Sequence, residues 1–210
     1  MFNKLKLVAL LMIPAMAAGA KDVPKSGFRE NLKECITVKK ANEGWFMGPA
    51  IGTQLYVGDS DNLHPLGYRL TTALEGQVGK WITPAIALRL RGTGARITGG
   101  NLSSNRNAMN MVFMSADCMF DAFSLLAGMN EERKVTVLPF IGVGTGINID
   151  IREVSPSLTV GAQVLFRVSE RINMFTELKG TLLNDKIDGS ATGFPYDGSA
   201  VLNAGFQFKF

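Results

Sequence analysis

The sequence predicts an all-β protein: an eight-stranded antiparallel up-and-down β-barrel that crosses a membrane. Three observations predict it. From Ala200 to Phe210 apolar and polar side chains alternate, with Leu202, Ala204, Phe206, Phe208 and Phe210 on one face and Asn203, Gly205, Gln207 and Lys209 on the other. A period of two is that of a strand with a different solvent on each side. The same alternation recurs upstream, in segments close to the roughly ten residues that a tilted membrane strand requires. The connections between these segments are alternately short and long, as expected when turns sit on one side of a bilayer and loops on the other.

Taken in order, the first strand runs from Trp45 to Tyr56, with Trp45, Met47, Ile51 and Leu55 outside and Gly48, Ala50, Gly52 and Gln54 inside. The second, Arg69 to Lys80, sets Leu70, Leu74 and Val78 against Thr71, Glu75 and Gln77. The third, Ala85 to Gly94, sets Ile86, Leu88 and Leu90 against Arg89, Arg91 and Thr93. The fourth, Asn110 to Phe120, turns Val112, Met114, Ala116 and Cys118 out and Ser115 and Asp117 in. The fifth, Val135 to Ile147, turns Val137, Ile141 and Val143 out and Gly142, Gly144 and Gly146 in. The sixth, Ser157 to Val168, has Leu158, Val160, Ala162, Val164 and Phe166 outward against Thr159, Gly161, Gln163 and Arg167. The seventh, Ile172 to Leu182, has Ile172, Met174, Leu178 and Leu182 outward against Asn173, Glu177, Lys179 and Thr181. The eighth is Ala200 to Phe210. Inward glycines have a physical reason, because a narrow barrel has room for large inward groups on some strands only if others carry small ones.

Pro49 and Pro139 strain this reading, since proline cannot donate to a ladder. Pro139 is expected near a strand start, ahead of its regular pairing, and Pro49 at a bulge. Trp81 to Pro84 and Ser169 to Arg171 read as tight turns. Gly58 to Gly67, Gly99 to Asn107 and Asn184 to Gly198 read as long loops, rich in Gly, Asn, Asp and Ser. Two connections depart from the pattern: Ser124 to Lys134 is long for the turn side, and Asp150 to Pro156 is short for the loop side.

Residues 1–20 read as a signal peptide. Lys4 and Lys6 form a positive start, Leu7 to Ile13 an apolar stretch too short to span a bilayer, and Ala18-Gly19-Ala20 a small-residue cleavage site. Residues 21–43 then form an N-terminal segment on the periplasmic side, and 44–210 the barrel. Cleavage before Lys21 removes two lysines and no acid, so the formal net charge falls from +4 to +2. That charge, with no basic stripe, argues against a nucleic-acid partner. The 46% hydrophobic content is ordinary, as expected where a polar lumen dilutes an apolar exterior. Cys35 and Cys118 are the only cysteines. Both fall toward the turn side, so they either bridge or stand as separate thiols; with a single histidine they make no zinc site. No cofactor is expected.

Aromatic placement agrees with a spanning barrel. Trp45, Trp81 and Phe210 end strands on the turn side, and Tyr56, Tyr68 and Tyr196 fall at the opposite ends or in the loops, so these tryptophans and tyrosines are expected as two interfacial girdles.

On these residues the chain resembles the OmpA-like eight-stranded outer-membrane barrels, in the form found in Bacteroidetes. The fragments that carry the resemblance are Gly76-Gln77-Val78-Gly79-Lys80-Trp81-Ile82-Thr83-Pro84, Pro139-Phe140-Ile141-Gly142-Val143-Gly144 and Leu183-Asn184-Asp185-Lys186-Ile187-Asp188-Gly189. The resemblance covers roughly Gly44 to Phe210. It implies the cell outer membrane, outer-membrane lipid around the barrel, a monomer, and a closing strand whose Phe206, Phe208 and Phe210 serve as the signal read by the barrel-assembly machinery. Many such proteins continue into a peptidoglycan-binding domain; here the last strand ends the sequence, so a cell-wall tether is not carried over.

The inward charges are the main polar constellation: Glu75, Asp117 and Glu177 against Arg89, Arg91, Arg167, Lys179 and Lys209. In a narrow interior these must pair, because an unpaired buried charge is costly. Three acids against five bases leave a positive excess. The expected role is a charge network that plugs the lumen of a non-enzymatic structural or interaction protein, whose outer loops are free to meet an unidentified surface partner. A porin-like small pore is the alternative use of the same residues. A second alternative is a lipid A-modifying enzyme, because the sole histidine, His64, lies beside Asp59, Ser60 and Asp61 in the first loop; a solvated turn has the same composition. A third is a soluble exported barrel holding an apolar ligand, which requires the opposite inside-outside assignment. The glycines of Gly142 to Gly146 are not a phosphate loop, as no Lys-Ser/Thr follows them.

Overall fold

The computed structural model describes residues 40, 43–57, 69–98, 108–127, 133–184 and 196–210. Eight strands follow one another: β1 (Trp45–Val57), β2 (Leu70–Trp81), β3 (Ile86–Thr98), β4 (Ala108–Phe120), β5 (Val135–Asn148), β6 (Glu153–Arg167), β7 (Ile172–Asn184) and β8 (Tyr196–Lys209), with one short helix, α1 (Ala122–Ala127), between β4 and β5. Each strand pairs antiparallel with the next, and β8 returns to β1, so the sheet closes. The residues expected to form a signal peptide, most of the 21–43 segment, Cys35, His64 and its neighbours, and Tyr68 lie outside the described residues.

The register sets the shape. Pairing passes from Met47 to Val78, Leu90, Ala116, Val143, Leu158, Leu182 and Gly198, and returns to β1 at Val57. One circuit therefore shifts the chain by ten residues (57 − 47). Such a stagger on eight strands tilts them by roughly 40° from the axis and leaves an interior that side chains can fill.

The alternation read from the sequence holds around the wall. Leu74, Leu90, Met114, Val143, Val160, Leu182 and Leu202 face outward and are exposed. Among the described strand positions that face outward, Lys80 and Arg96 are the only charged side chains, and each stands near a strand end. A mid-strand belt of this length with no charge is a surface for hydrocarbon, not water. The strands are longer than expected: β3 continues to Thr98 and β6 begins at Glu153. The sequence pattern fades there because both faces approach water.

The prolines occupy places where a ladder can spare a donor. Pro139 lies beyond Met119↔Phe140, the last pair between β4 and β5. Pro156, read from the sequence as loop, is within β6 but precedes Ser157↔Leu183, the first pair between β6 and β7. Pro49 does not mark a bulge. Pairs between β1 and β8 are missing at Gly48 and Pro49, yet Met47↔Phe208 and Ala50↔Gly205 keep the same register on either side.

The turn end is stitched by hydroxyls. Thr83 Oγ1 accepts from the Ile86 N–H at 3.0 Å, and Ser169 Oγ from the Ile172 N–H at 3.1 Å. The long Ser124–Lys134 connection begins with α1, a helix that the sequence pattern missed. Asp121 caps it: Oδ1 accepts the N–H groups of Phe123 (3.0 Å) and Ser124 (2.9 Å). The short loop-end connection between β5 and β6 is a tight turn, with Arg152 at φ 58° and the Asp150 carboxylate accepting the Asn110 N–H at 2.7 Å.

Candidate functional site: the lumen

Six of the eight predicted lumen charges meet at mid-height. Arg89 lies at the centre. Its Nε donates to Asp117 Oδ2 at 2.9 Å, and its Nη1 to Glu177 Oε2 at 2.6 Å and Gln77 Oε1 at 2.8 Å. Arg91 reaches the other oxygens of the same acids, Glu177 Oε1 at 2.8 Å and Asp117 Oδ1 at 3.2 Å. Ser115 Oγ accepts from Arg91 Nη2 at 3.0 Å. Lys179 donates to Glu75 Oε2 and lies 3.8 Å from Glu177 Oε1. Thr93 Oγ1 and Asn203 Nδ2 each donate to Glu75 Oε2 at 2.9 Å. Both guanidinium groups stack over the Phe140 ring, at 4.6 and 5.2 Å from its centroid.

Strand alternation explains the convergence. Arg89 and Arg91 are two apart on β3, and Glu177 and Lys179 two apart on β7, so each pair projects into the lumen from one strand. Adjacent strands supply Asp117 opposite Arg89 and Glu75 opposite Thr93. Room comes from glycine. A Cβ at Gly142 would lie 2.0 Å from Asp117 Oδ1, so that position must be bare for the carboxylate to fit.

Arg167 and Lys209, expected in the same network, do not join it. Both point inward by alternation but stand at the last turnward positions of β6 and β8, where Arg167 is exposed and Lys209 half-buried. The buried network therefore holds three acids and three bases, so it does not carry the positive excess that the sequence suggests.

Apolar layers bracket the charges, a feature that the sequence pattern missed. Toward the turn end Phe46, Met119, Leu138, Phe140, Leu165 and Phe175 pack together. Toward the loop end Tyr56, Ile97, Met111 and Leu183 do the same. These layers claim two residues expected in the girdles: Tyr56 is 6% exposed inside the barrel, and Trp81 packs inward against the turn-end layer. Trp45 does face outward, with the Lys80 ammonium 5.4 Å above its ring. Tyr196 opens β8 opposite Asn184, and its side chain is outside the described part. Cys118 is a free thiol on the outward face of β4. Phe206, Phe208 and Phe210 line the outward face of the last strand and are exposed. Among the described residues no group of His, Cys, Asp and Glu is disposed to hold a metal.

No protein-family model matches the chain. It is 27% identical over 193 residues to outer membrane protein 41 of Porphyromonas gingivalis, a match that covers 86% of this chain and 49% of that protein. The chain thus spans about half the length of that relative. Among solved structures it is similar to Neisserial surface protein A, with a TM-score of 0.55 at 13% identity over 80% of this chain and 97% of the other. The N-terminal barrel of OprF from Pseudomonas aeruginosa matches with a TM-score of 0.45 at 16% identity, over 79% of this chain and 98% of that one. Closed eight-strand topology, an uncharged lipid-facing belt and similarity to an outer-membrane protein agree: the chain is an eight-stranded β-barrel of the outer membrane.

Proposed function

We propose that the protein is a closed structural barrel that holds loops at the cell surface, and that its lumen conducts neither ions nor solutes. One observation carries this reading: Arg89, with a side chain 0% exposed, is clasped by Asp117 and Glu177. A guanidinium held by two carboxylates in a sealed layer is a plug, because opening a path past it means separating buried charges. The apolar layers above and below exclude the water that would solvate separated ions. The protein is a monomer set in outer-membrane lipid. Its last strand, with Phe206, Phe208 and Phe210, is what the barrel-assembly machinery engages. It works without catalysis, through contacts that the loops make with a partner at the surface.

Planar-bilayer recording tests the plug. Intact protein gives no stable conductance. Glu177→Ala, which removes a partner of both arginines, gives small, brief openings. Large and lasting conductance from the intact barrel would instead favour the porin reading.

A further inference from the structure

Two adjoining depressions of about 570 and 620 Å³ lie on the outward wall over β2 to β5, and they share Val78, Leu90, Ala116 and Val143. Together they form one groove. Its floor is nearly bare strand. Gly76 pairs with Gly92 across β2 and β3, and Leu90 with Ala116 across β3 and β4, so small outward residues adjoin on three strands. A Cβ at Gly76 or Gly92 would meet nothing within 4 Å. The banks are proud aliphatic side chains: Leu90 is 61% exposed, Met114 56% and Val143 64%. Arg89, Arg91 and Asp117 back the groove from the lumen, with side chains at most 3% exposed. Among the described residues that line it, Lys80 is the only charged side chain on the outward face. Its ammonium lies 5.4 Å over the ring of Trp45 at the turn-end mouth, and an amphipathic pair of this kind belongs at headgroup level. From Gly92 to Leu88 the groove follows β3 for four residues (92 − 88), about 13 Å of strand. That is most of one leaflet in a hydrocarbon core roughly 30 Å thick.

We propose that this groove binds one acyl chain of a phospholipid in the turn-side leaflet. The groove is part of the uncharged belt that faces hydrocarbon, so a lipid chain is the partner already beside it. On a smooth wall a chain touches protein along one side. Here the glycine floor and the two banks surround it on three sides, which adds dispersion contacts and buried apolar area. A second barrel fits less well, because its convex wall would rest on the banks and leave the floor untouched. The chain, and not the headgroup, is what the groove selects; the Trp45–Lys80 pair marks only the level at which the headgroup lies. The site is on the outside of the wall and does not depend on the plug.

Photo-crosslinking tests it. Full-length protein is refolded into phosphatidylcholine vesicles that contain a trace of phosphatidylcholine with a diazirine midway along one acyl chain. Adducts are mapped by peptide mass spectrometry. They should concentrate on the segments of Leu90, Met114 and Val143, over those of Val160, Leu182 and Leu202, which are equally exposed on the far wall. The double variant Gly92→Leu/Ala116→Leu fills the floor from the outside. It should lower the groove adducts by about tenfold, the factor that roughly 55 Å² of apolar contact is worth. Gly180→Leu adds the same bulk on β7, where a Cβ also meets nothing within 4 Å, and should leave the groove adducts unchanged. Heat-modifiable gel migration selects the folded fraction of each variant, and Gly76→Leu repeats the test from β2 should the double variant not fold. Adducts spread evenly around the belt, or groove adducts that persist in the folded filled variants, overturn the proposal. Native mass spectrometry of the parent in detergent covers the other occupant: a dimer that Gly92→Leu/Ala116→Leu abolishes would overturn it too and give the groove to a second copy.

Discussion

Arg89 and Glu177 meet across the barrel axis. Nη1 and Oε2 are 2.6 Å apart, between residues 88 positions apart in sequence on strands that are not neighbours in the sheet. Backbone ladders tie each strand only to the next, so they allow a closed sheet to flatten. A contact from β3 to β7 holds the cross-section, and Gln163 Nε2 on β6, 3.4 Å from the same carboxylate oxygen, adds a further strand.

Replacing Glu177 by Gln should destabilise the barrel by about 3–5 kcal/mol, because two buried guanidinium groups lose the same counter-ion. Urea unfolding in detergent micelles, followed by tryptophan emission, measures the loss. Arg89→Met combined with Glu177→Gln should cost less than the two single changes added, since each single change strands the other's charge. A loss below about 1 kcal/mol for Glu177→Gln would mean that water reaches the layer and screens it.

Gly142 and Gly92 form a matched pair for testing how tightly the lumen is packed. A Cβ at Gly142 meets Asp117 Oδ1 at 2.0 Å and Ala116 O at 3.0 Å, whereas one at Gly92, on the outward face, meets nothing within 4 Å. Gly142→Ala should cost about 1–3 kcal/mol by forcing the carboxylate off its arginines. Gly92→Ala should stay within about 0.5 kcal/mol of the parent. Unfolding curves of the two variants in the same lipid decide it, and equal costs would count against a packed interior.

How far the fold was legible in sequence follows from what periodicity can carry. Strands with solvent contrast, such as Leu70-Thr71-Thr72-Ala73-Leu74-Glu75, declare themselves, and so do inward charges such as Arg89 and Glu177, because a charge cannot face hydrocarbon. The apolar layers do not. Phe46, Leu138, Leu165 and Phe175 are inward apolar residues, and in a period-two reading they look like faults in the pattern. Tyr56 and Trp81 were misplaced for the same reason: aromatic type suggests an interface, while parity puts both inside. Arg167 and Lys209 had the correct parity but the wrong height, which only the register supplies. Helix α1 is too short for a 3.6-residue period to show; its signal was Asp121, three residues ahead of Ser124, in a capping arrangement.

That cap is itself testable. Asp121→Ala removes the acceptor of the first N–H groups of α1 and the carboxylate beside Arg133, and should cost about 1 kcal/mol, within the usual range for a lost N-cap. Asp121→Asn, which keeps an acceptor oxygen, should recover most of it. Thermal unfolding of both variants tests the ordering, and an alanine variant as stable as the parent would show that α1 is held by its packing on β5 alone.

Leu202 tests the lipid-facing assignment. It is 55% exposed, pairs with Leu178 and Thr53 and stands midway along β8. Leu202→Arg should cost about 2–4 kcal/mol for folding into lipid vesicles, and Phe208→Arg less, because the turn-end interface is near and the guanidinium can reach headgroups. In lipid-free denaturant both unfolded chains behave alike. Equal costs at the two positions would mean that the belt is displaced along the axis.

Phe210 separates assembly from stability. Its N–H donates to Trp45 O at 2.9 Å, closing the ladder between β8 and β1, while its ring is 70% exposed and packs little. Deleting it therefore removes one terminal hydrogen bond, worth about 0.5–1.5 kcal/mol, and little buried area. Refolding in detergent should be nearly unaffected. If the outward aromatics Phe206, Phe208 and Phe210 are what the assembly machinery reads, the same deletion should sharply lower the amount of barrel in the outer membrane of cells. The two measurements together discriminate. Poor refolding in detergent would make Phe210 a stability residue. Normal refolding with a normal surface level would remove the last aromatic from the signal and leave Phe206 and Phe208 to be tested in its place.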